Sequence, residues 1–176
     1  TSNALVCCHI NNDGAKDLIM AGQDNIYIIL QQKGGDSPAE AVKYPTSALT
    51  LSVEIADLNG DKINDLVIVT NDDEKPIHVR FGLKDGQLGP EIRFFVETPF
   101  ALQLKDIDGD ANDEILTIDS RGGRLICYKF TSGKETADDW PTVFYPLAGG
   151  EENTKRDLVI GDFDGNSSAA VVIIGV

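Results

Sequence analysis

Asp57-Leu58-Asn59-Gly60-Asp61-Lys62-Ile63-Asn64-Asp65, followed at once by Leu66-Val67-Ile68-Val69, is the stretch on which the reading of this chain turns. Oxygen-bearing side chains stand at its first, third, fifth and ninth places, and an apolar strand begins directly afterwards. Three carboxylates and an amide held this close repel one another unless a cation sits between them. Hard divalent ions take six to eight oxygen ligands, and Ca²⁺ tolerates irregular arrangements of them best. Gly60 permits the left-handed turn that lets successive oxygens point inward. The plainer alternative is a hairpin turn, for which Asp, Asn and Gly are also the usual residues.

The same nine-residue pattern recurs. Residues 106–114 repeat it with Asp106, Asp108, Asp110 and Glu114, leading into Ile115-Leu116-Thr117-Ile118. Residues 9–17 carry His9, Asn11, Asp13 and Asp17 before Leu18-Ile19-Met20. Residues 162–170 carry Asp162, Asp164, Asn166 and Ala170 before Val171-Val172-Ile173-Ile174. The ninth places, 17, 65, 114 and 170, fall 48, 49 and 56 residues apart. Repetition at such a period marks a solenoid, a propeller or an array.

Around these loops the chain reads as short strands separated by Gly-, Pro- and Asp-rich turns. The expected strands are 4–10, 18–21, 25–31 and 40–44, then 51–57, 66–70, 77–83 and 91–97, then 101–105, 115–119, 124–130 and 142–145, and finally 157–161 and 171–175. No apolar period of 3.6 residues persists over ten positions, so the chain is expected to be all-β. Four strands per ~50 residues is the blade of a β-propeller, whose neighbours bury each other's faces. The repeat units are 1–47, 48–97, 98–152 and 153–176, one propeller domain over 1–176 with about three and a half blades of four antiparallel strands. Propellers close with about four to eight blades. The chain is therefore expected to be a piece of a longer propeller, three and a half blades being half of a seven-bladed one, or to be completed by a second chain.

A net charge of −14 argues against a nucleic-acid partner, because affinity for phosphate backbones rests on Lys and Arg. No apolar run approaches the ~20 residues of a membrane span. Three cysteines cannot all pair within the chain, and adjacent Cys7 and Cys8 on one strand point to opposite faces. Buried thiols are the plain reading; a vicinal disulfide, or a bond to another part of the protein, is the alternative.

The pattern at Asp57–Leu66 and Asp106–Ile115 resembles the FG-GAP repeat of integrin α-subunit propellers and the related VCBS repeats of secreted bacterial proteins. That resemblance implies Ca²⁺ in the loop joining the first two strands of each blade. It implies side-chain ligands at the first, third, fifth and ninth places and a backbone carbonyl at the seventh. The second loop then offers Asp57, Asn59, Asp61, Asp65 and the Ile63 carbonyl. The third offers Asp106, Asp108, Asp110, Glu114 and the Asn112 carbonyl. The other two are weaker sites: the first has His9 in place of a carboxylate beside Asn11, Asp13 and Asp17, and the fourth has Asp162, Asp164 and Asn166 but Ala170 in the ninth place.

Catalytic signals are sparse. His9 lies in a loop of the metal type, and His78 alternates along a strand, so both read as structural or surface residues. There is no nucleophile elbow, phosphate-cradling loop or zinc spacing. Arg121, Arg124, Tyr128, Trp140 and Tyr145 are candidates for a surface that stacks on sugar or meets a protein. The expectation is a non-catalytic, calcium-binding recognition or adhesion module, extracellular, at the cell surface or periplasmic, with a protein or carbohydrate ligand. The alternative is the propeller of an extracellular enzyme such as a polysaccharide lyase or phospholipase.

Overall fold

A computed structural model describes residues 4–11, 13–31, 34, 40–96, 99–119, 123–131, 140, 142–147, 156–166 and 169–175. Within them lie fourteen strands and no helix. The first sheet runs in the order β1 (Ala4–Cys8), β2 (Asp17–Ala21), β3 (Asn25–Ile29), β4 (Val42–Pro45). The second repeats it with β5 (Thr50–Ala56), β6 (Asp65–Thr70), β7 (Ile77–Arg80) and β8 (Ile92–Phe94). The third has β9 (Pro99–Lys105), β10 (Glu114–Asp119), β11 (Arg124–Tyr128) and β12 (Thr142–Pro146), and the fourth is the pair β13 (Arg156–Gly161) and β14 (Ala170–Gly175). Every pairing is antiparallel between chain neighbours, the meander of a propeller blade. Three blades and a half are therefore present, as the repeats imply.

The strands fall in two compact units. One comprises the described residues up to Asp57 together with Asp61–Phe94, and the other Leu58–Gly60 and the residues from Phe95 onward. In the first unit the apolar faces of two blades meet: Ile19, Ala21, Ile26 and Ile28 join Val53, Leu66 and Ile68 in one core. In the second, Leu116, Ile118, Leu125 and Cys127 pack with Leu158 of β13. At roughly 25 cal/mol per Å² of buried apolar surface, this face-to-face burial is the main force stabilising each unit. Strand β10 is buried at every position, which explains why its centre, Ile115-Leu116-Thr117-Ile118, does not alternate apolar with charged residues.

Register fixes the loops that matter. Cys8 pairs with Asp17, Ala56 with Asp65, Lys105 with Glu114 and Gly161 with Ala170. Each hairpin thus encloses eight residues, 9–16, 57–64, 106–113 and 162–169, and the ninth-place residue opens the second strand of its blade. Several expected strands are shorter than the sequence suggests, with β1, β3 and β11 each ending two residues early. Strand β7 stops at Arg80 because Gly82 makes only an isolated bridge to Leu88, across a turn closed by the Leu83 amide on the Gln87 carbonyl (2.8 Å). Strand β8 spans Ile92–Phe94 against an expected 91–97. The turns expected around 33–38, 131–140 and 149–150 lie mostly outside the described residues.

Candidate metal centre

The backbone of these loops alternates handedness. Gly60 and Gly109, in the fourth place, have φ of 73° and 83°, and Lys62 and Ala111, in the sixth, have φ of 66° and 70°. A left-handed residue with a β-carbon costs about 1–2 kcal/mol, so something must hold Lys62 and Ala111 there. The first-place carboxylate does so: Lys62 N donates to Asp57 Oδ2 (2.9 Å), and Ala111 N to Asp106 Oδ2 (3.0 Å). Gly109 N reaches the other oxygen of Asp106 at 2.7 Å. The first-place carboxylate thereby ties the sixth-place amide back across each loop.

In the third loop the carboxylates converge. One oxygen from each of Asp106, Asp108 and Glu114 lies within 4.8 Å of the others, the one such acidic trio among the described residues. Glu114 is 2 % exposed. Its Oε2 accepts the Ile107 amide (3.0 Å), while its Oε1 is buried with no hydrogen-bond donor in reach. Burial, with the Asp108 charge adding to it, holds the Glu114 carboxyl above its ordinary range. An orphaned, desolvated oxygen facing two more carboxylates is costly unless a cation completes it.

A cation does stand nearby. Lys129 Nζ is paired with Asp108 Oδ2, lies 2.7 Å from Asp110 Oδ2, and is 3.9 Å from Glu114 Oε1. Hydrogen bonds to Asp108 and Asp110 raise the Lys129 ammonium above its usual value, and the Lys129 bond in turn lowers Asp110. The residues fit a hard divalent ion: their oxygens are of the right type, converge on one point and include one with no protein donor.

The first loop is closed differently. His9 Nδ1 lies 2.6 Å from the Ala15 carbonyl, the seventh-place oxygen, so the ring N–H engages the group the family pattern assigns to metal. Asp17 is fully buried, and both its oxygens take backbone amides, Oδ2 from Ile10 and Oδ1 from Gln31, each at 2.9 Å. Asn11 and Asp13 are occupied with the turn, through Asp13 N on Asn11 Oδ1 (3.2 Å) and Ala15 N on Asp13 Oδ1 (2.7 Å).

In the second loop Asp65 Oδ1 accepts the Gly82 amide (2.9 Å), and Asp61 Oδ1 accepts the Ile63 amide (2.8 Å). Asp57, Asp61 and Asp65 are not gathered as closely as the trio of the third loop. Gly82 approaches so tightly that a β-carbon there would overlap the Asn64 carbonyl oxygen. In the fourth loop Asp162 Oδ1 accepts Gly165 N (2.7 Å) and Asn166 N (3.2 Å), and Asn166 Nδ2 reaches Asp164 Oδ2 (2.9 Å). Ala170 supplies no carboxylate there. The third and fourth loops border one open groove, lined by Asp106, Asp108, Gly109 and Asp162.

Other candidates resolve as follows. His78 is fully buried; its Nε2 donates to the Lys75 carbonyl (2.8 Å), and Nδ1 sits 3.4 Å from Glu91 Oε1. Arg80 spans the Gly89 and Pro45 carbonyls and approaches Glu91 Oε2 at 3.4 Å, so this network ties the second blade to the last strand of the first. Trp140 is not a stacking surface: it is 3 % exposed and meets Phe130 edge-on. Tyr128 is likewise buried, with its hydroxyl on the Phe95 carbonyl (2.9 Å). Tyr145 is exposed, Arg124 pairs with Asp119 and covers Phe144, and Arg121 lies outside the described residues. The three cysteines are free thiols, with Cys7 exposed and Cys8 and Cys127 buried; burial pushes the latter two up to about 11.

Lys129 and the two amide partners of Asp17 are what the sequence reading missed. For Lys129 and Gln31 the signal was strand register, which carries the residues just past the third strand of a blade to the loop between its first two. Residues 9–68, spanning the first two loops, match the family model described as FG-GAP-like repeat. No curated protein matches the chain.

Proposed function

From a chain that carries an FG-GAP-like repeat and folds as β-propeller blades, we propose a calcium-binding recognition module. The observation that carries this reading is the buried Glu114 Oε1, without a donor, facing Asp106 and Asp108. Asp106, Asp108, Asp110, Glu114 and the Asn112 carbonyl would hold the ion in the third loop. Asp57, Asn59, Asp61, Asp65 and the Ile63 carbonyl would hold one in the second. The fourth loop, lacking a ninth carboxylate, and the first, closed by His9, would bind more weakly.

The ion's task is structural. It neutralises converging carboxylates and fixes the hairpin between the first two strands of a blade. Sites of this kind with Kd near ~10⁻⁴–10⁻³ M fill outside the cell, so the module belongs to an extracellular, surface or periplasmic protein. Its ligand is a protein or carbohydrate, met by exposed side chains such as Phe144 and Tyr145 on β12. The remaining blades would come from the parent chain or a second chain.

Thermal melts with calcium and with EGTA test this. Calcium at ~100 times Kd should add about 2.7 kcal/mol. Identical midpoints in the two conditions would remove the reading.

A further inference from the structure

We propose that Lys129 is a tethered cation that occupies the seat of the third loop and competes with calcium for it, an inference that rests on the calcium reading above. The register places it there. Ile115 pairs with Tyr128, so the next residue, Lys129, comes to lie opposite Glu114. The same step in the first blade, beyond the Leu18–Ile29 pair, reaches Leu30, and in the second, beyond Leu66–Arg80, it reaches Phe81. Of these three blades, the third alone places a cation at this position.

The contacts match the ligand set. The ammonium pairs with Asp108 and Asp110, the third and fifth places, and faces Glu114, the ninth, at 3.9 Å. Its side chain is about one-third exposed, and the flexible four-carbon stem lets the head leave for water when a divalent ion arrives. An ammonium left within a few ångström of Ca²⁺ repels it appreciably even in water-like surroundings. Occupancy of the third loop is therefore set by exchange: Lys129 holds the carboxylates together at low calcium and is expelled at high calcium. The loop stays folded in both states, and its threshold for calcium is raised.

The test is a calcium titration of the ¹⁵N-labelled chain, read at the Gly109 amide for the third loop and at Gly60 for the second. Wild type, Lys129→Gln, Lys129→Met and Lys129→Arg are compared. Removing the charge should tighten the Gly109 midpoint about tenfold, from the Coulomb term, while the Gly60 midpoint stays put. Lys129→Arg should titrate near wild type. A ¹³C label at Lys129 Cε should shift in step with Gly109 as the head group is released. If Gly109 titrates but the two neutral variants bind calcium no tighter than wild type, Lys129 is not a competitor and the proposal fails. If Gly109 ignores calcium in all four proteins, the calcium reading of the third loop fails, and the proposal falls with it.

Discussion

The first and third hairpins have the same length, the same strand register and a left-handed sixth place (Gly14 φ 84°, Ala111 φ 70°), yet they satisfy their oxygens in opposite ways. In the first, an imidazole N–H takes the seventh-place carbonyl, and both oxygens of Asp17 are spent on backbone amides. In the third, the ninth residue is one methylene longer. Glu114 still reaches the Ile107 amide with one oxygen and presents the other, without a donor, to Asp106 and Asp108. Loop shape alone therefore does not make a cation site. What decides is how many carboxylate oxygens the protein's own donors leave over.

The ninth place is where this comparison breaks most visibly. Asp17→Asn places an amide NH₂ against one of two backbone donors inside the core. It should cost about 2–3 kcal/mol, equally with calcium and with EGTA, as read by urea denaturation. Glu114→Gln keeps an acceptor for Ile107 and turns its NH₂ toward carboxylates, so stability in EGTA should change by under about 1 kcal/mol. Calcium stabilisation through the third loop should disappear. Equal calcium dependence in the two variants would undo the distinction.

A smaller effect is expected at Gly82, whose amide binds Asp65 and where an added β-carbon would overlap the Asn64 carbonyl oxygen. Gly82→Ala forces that loop outward and should cost about 1–3 kcal/mol, the usual range for overpacking. His9→Asp exchanges the imidazole clasp for the missing carboxylate. It should lose about 1 kcal/mol in EGTA and gain a calcium response at the Gly14 amide, measured by NMR titration.

The smallest effect is one of pH, at a partly buried carboxylate whose charge is held by protein groups and not by metal. Burial raises the Glu91 carboxyl, but His78, Ser47 and Arg80 outweigh it and hold the group below its ordinary value. A depressed folded pKa contributes stability that is complete above the unfolded value and is lost as pH falls through the folded one. Chemical denaturation from about pH 5 to about pH 3 should show this loss, by under about 1 kcal/mol, and Glu91→Gln should flatten it.

Much of the architecture was legible from spacing. Four copies of an oxygen-rich loop, each ahead of an apolar run, sufficed for the blades, because strand pairing is local in a meander. The pattern also marked Asp106, Asp108 and Glu114 before their convergence was visible. It was blind to partners set by register. Gln31, Gly82 and Lys129 lie 14, 17 and 15 residues beyond the ninth-place carboxylates they meet, and nothing in the nine-residue loop encodes them. Trp140 misled for a related reason. In a long turn it reads as exposed, but Phe130 is available to bury it.

The most direct test is an anomalous difference map from a crystal of this chain grown in millimolar calcium. A peak ligated by Asp106, Asp108 and Glu114, with none inside the hairpin closed by His9, is the result expected here. A peak in the His9 hairpin and none at Glu114 would contradict the account outright.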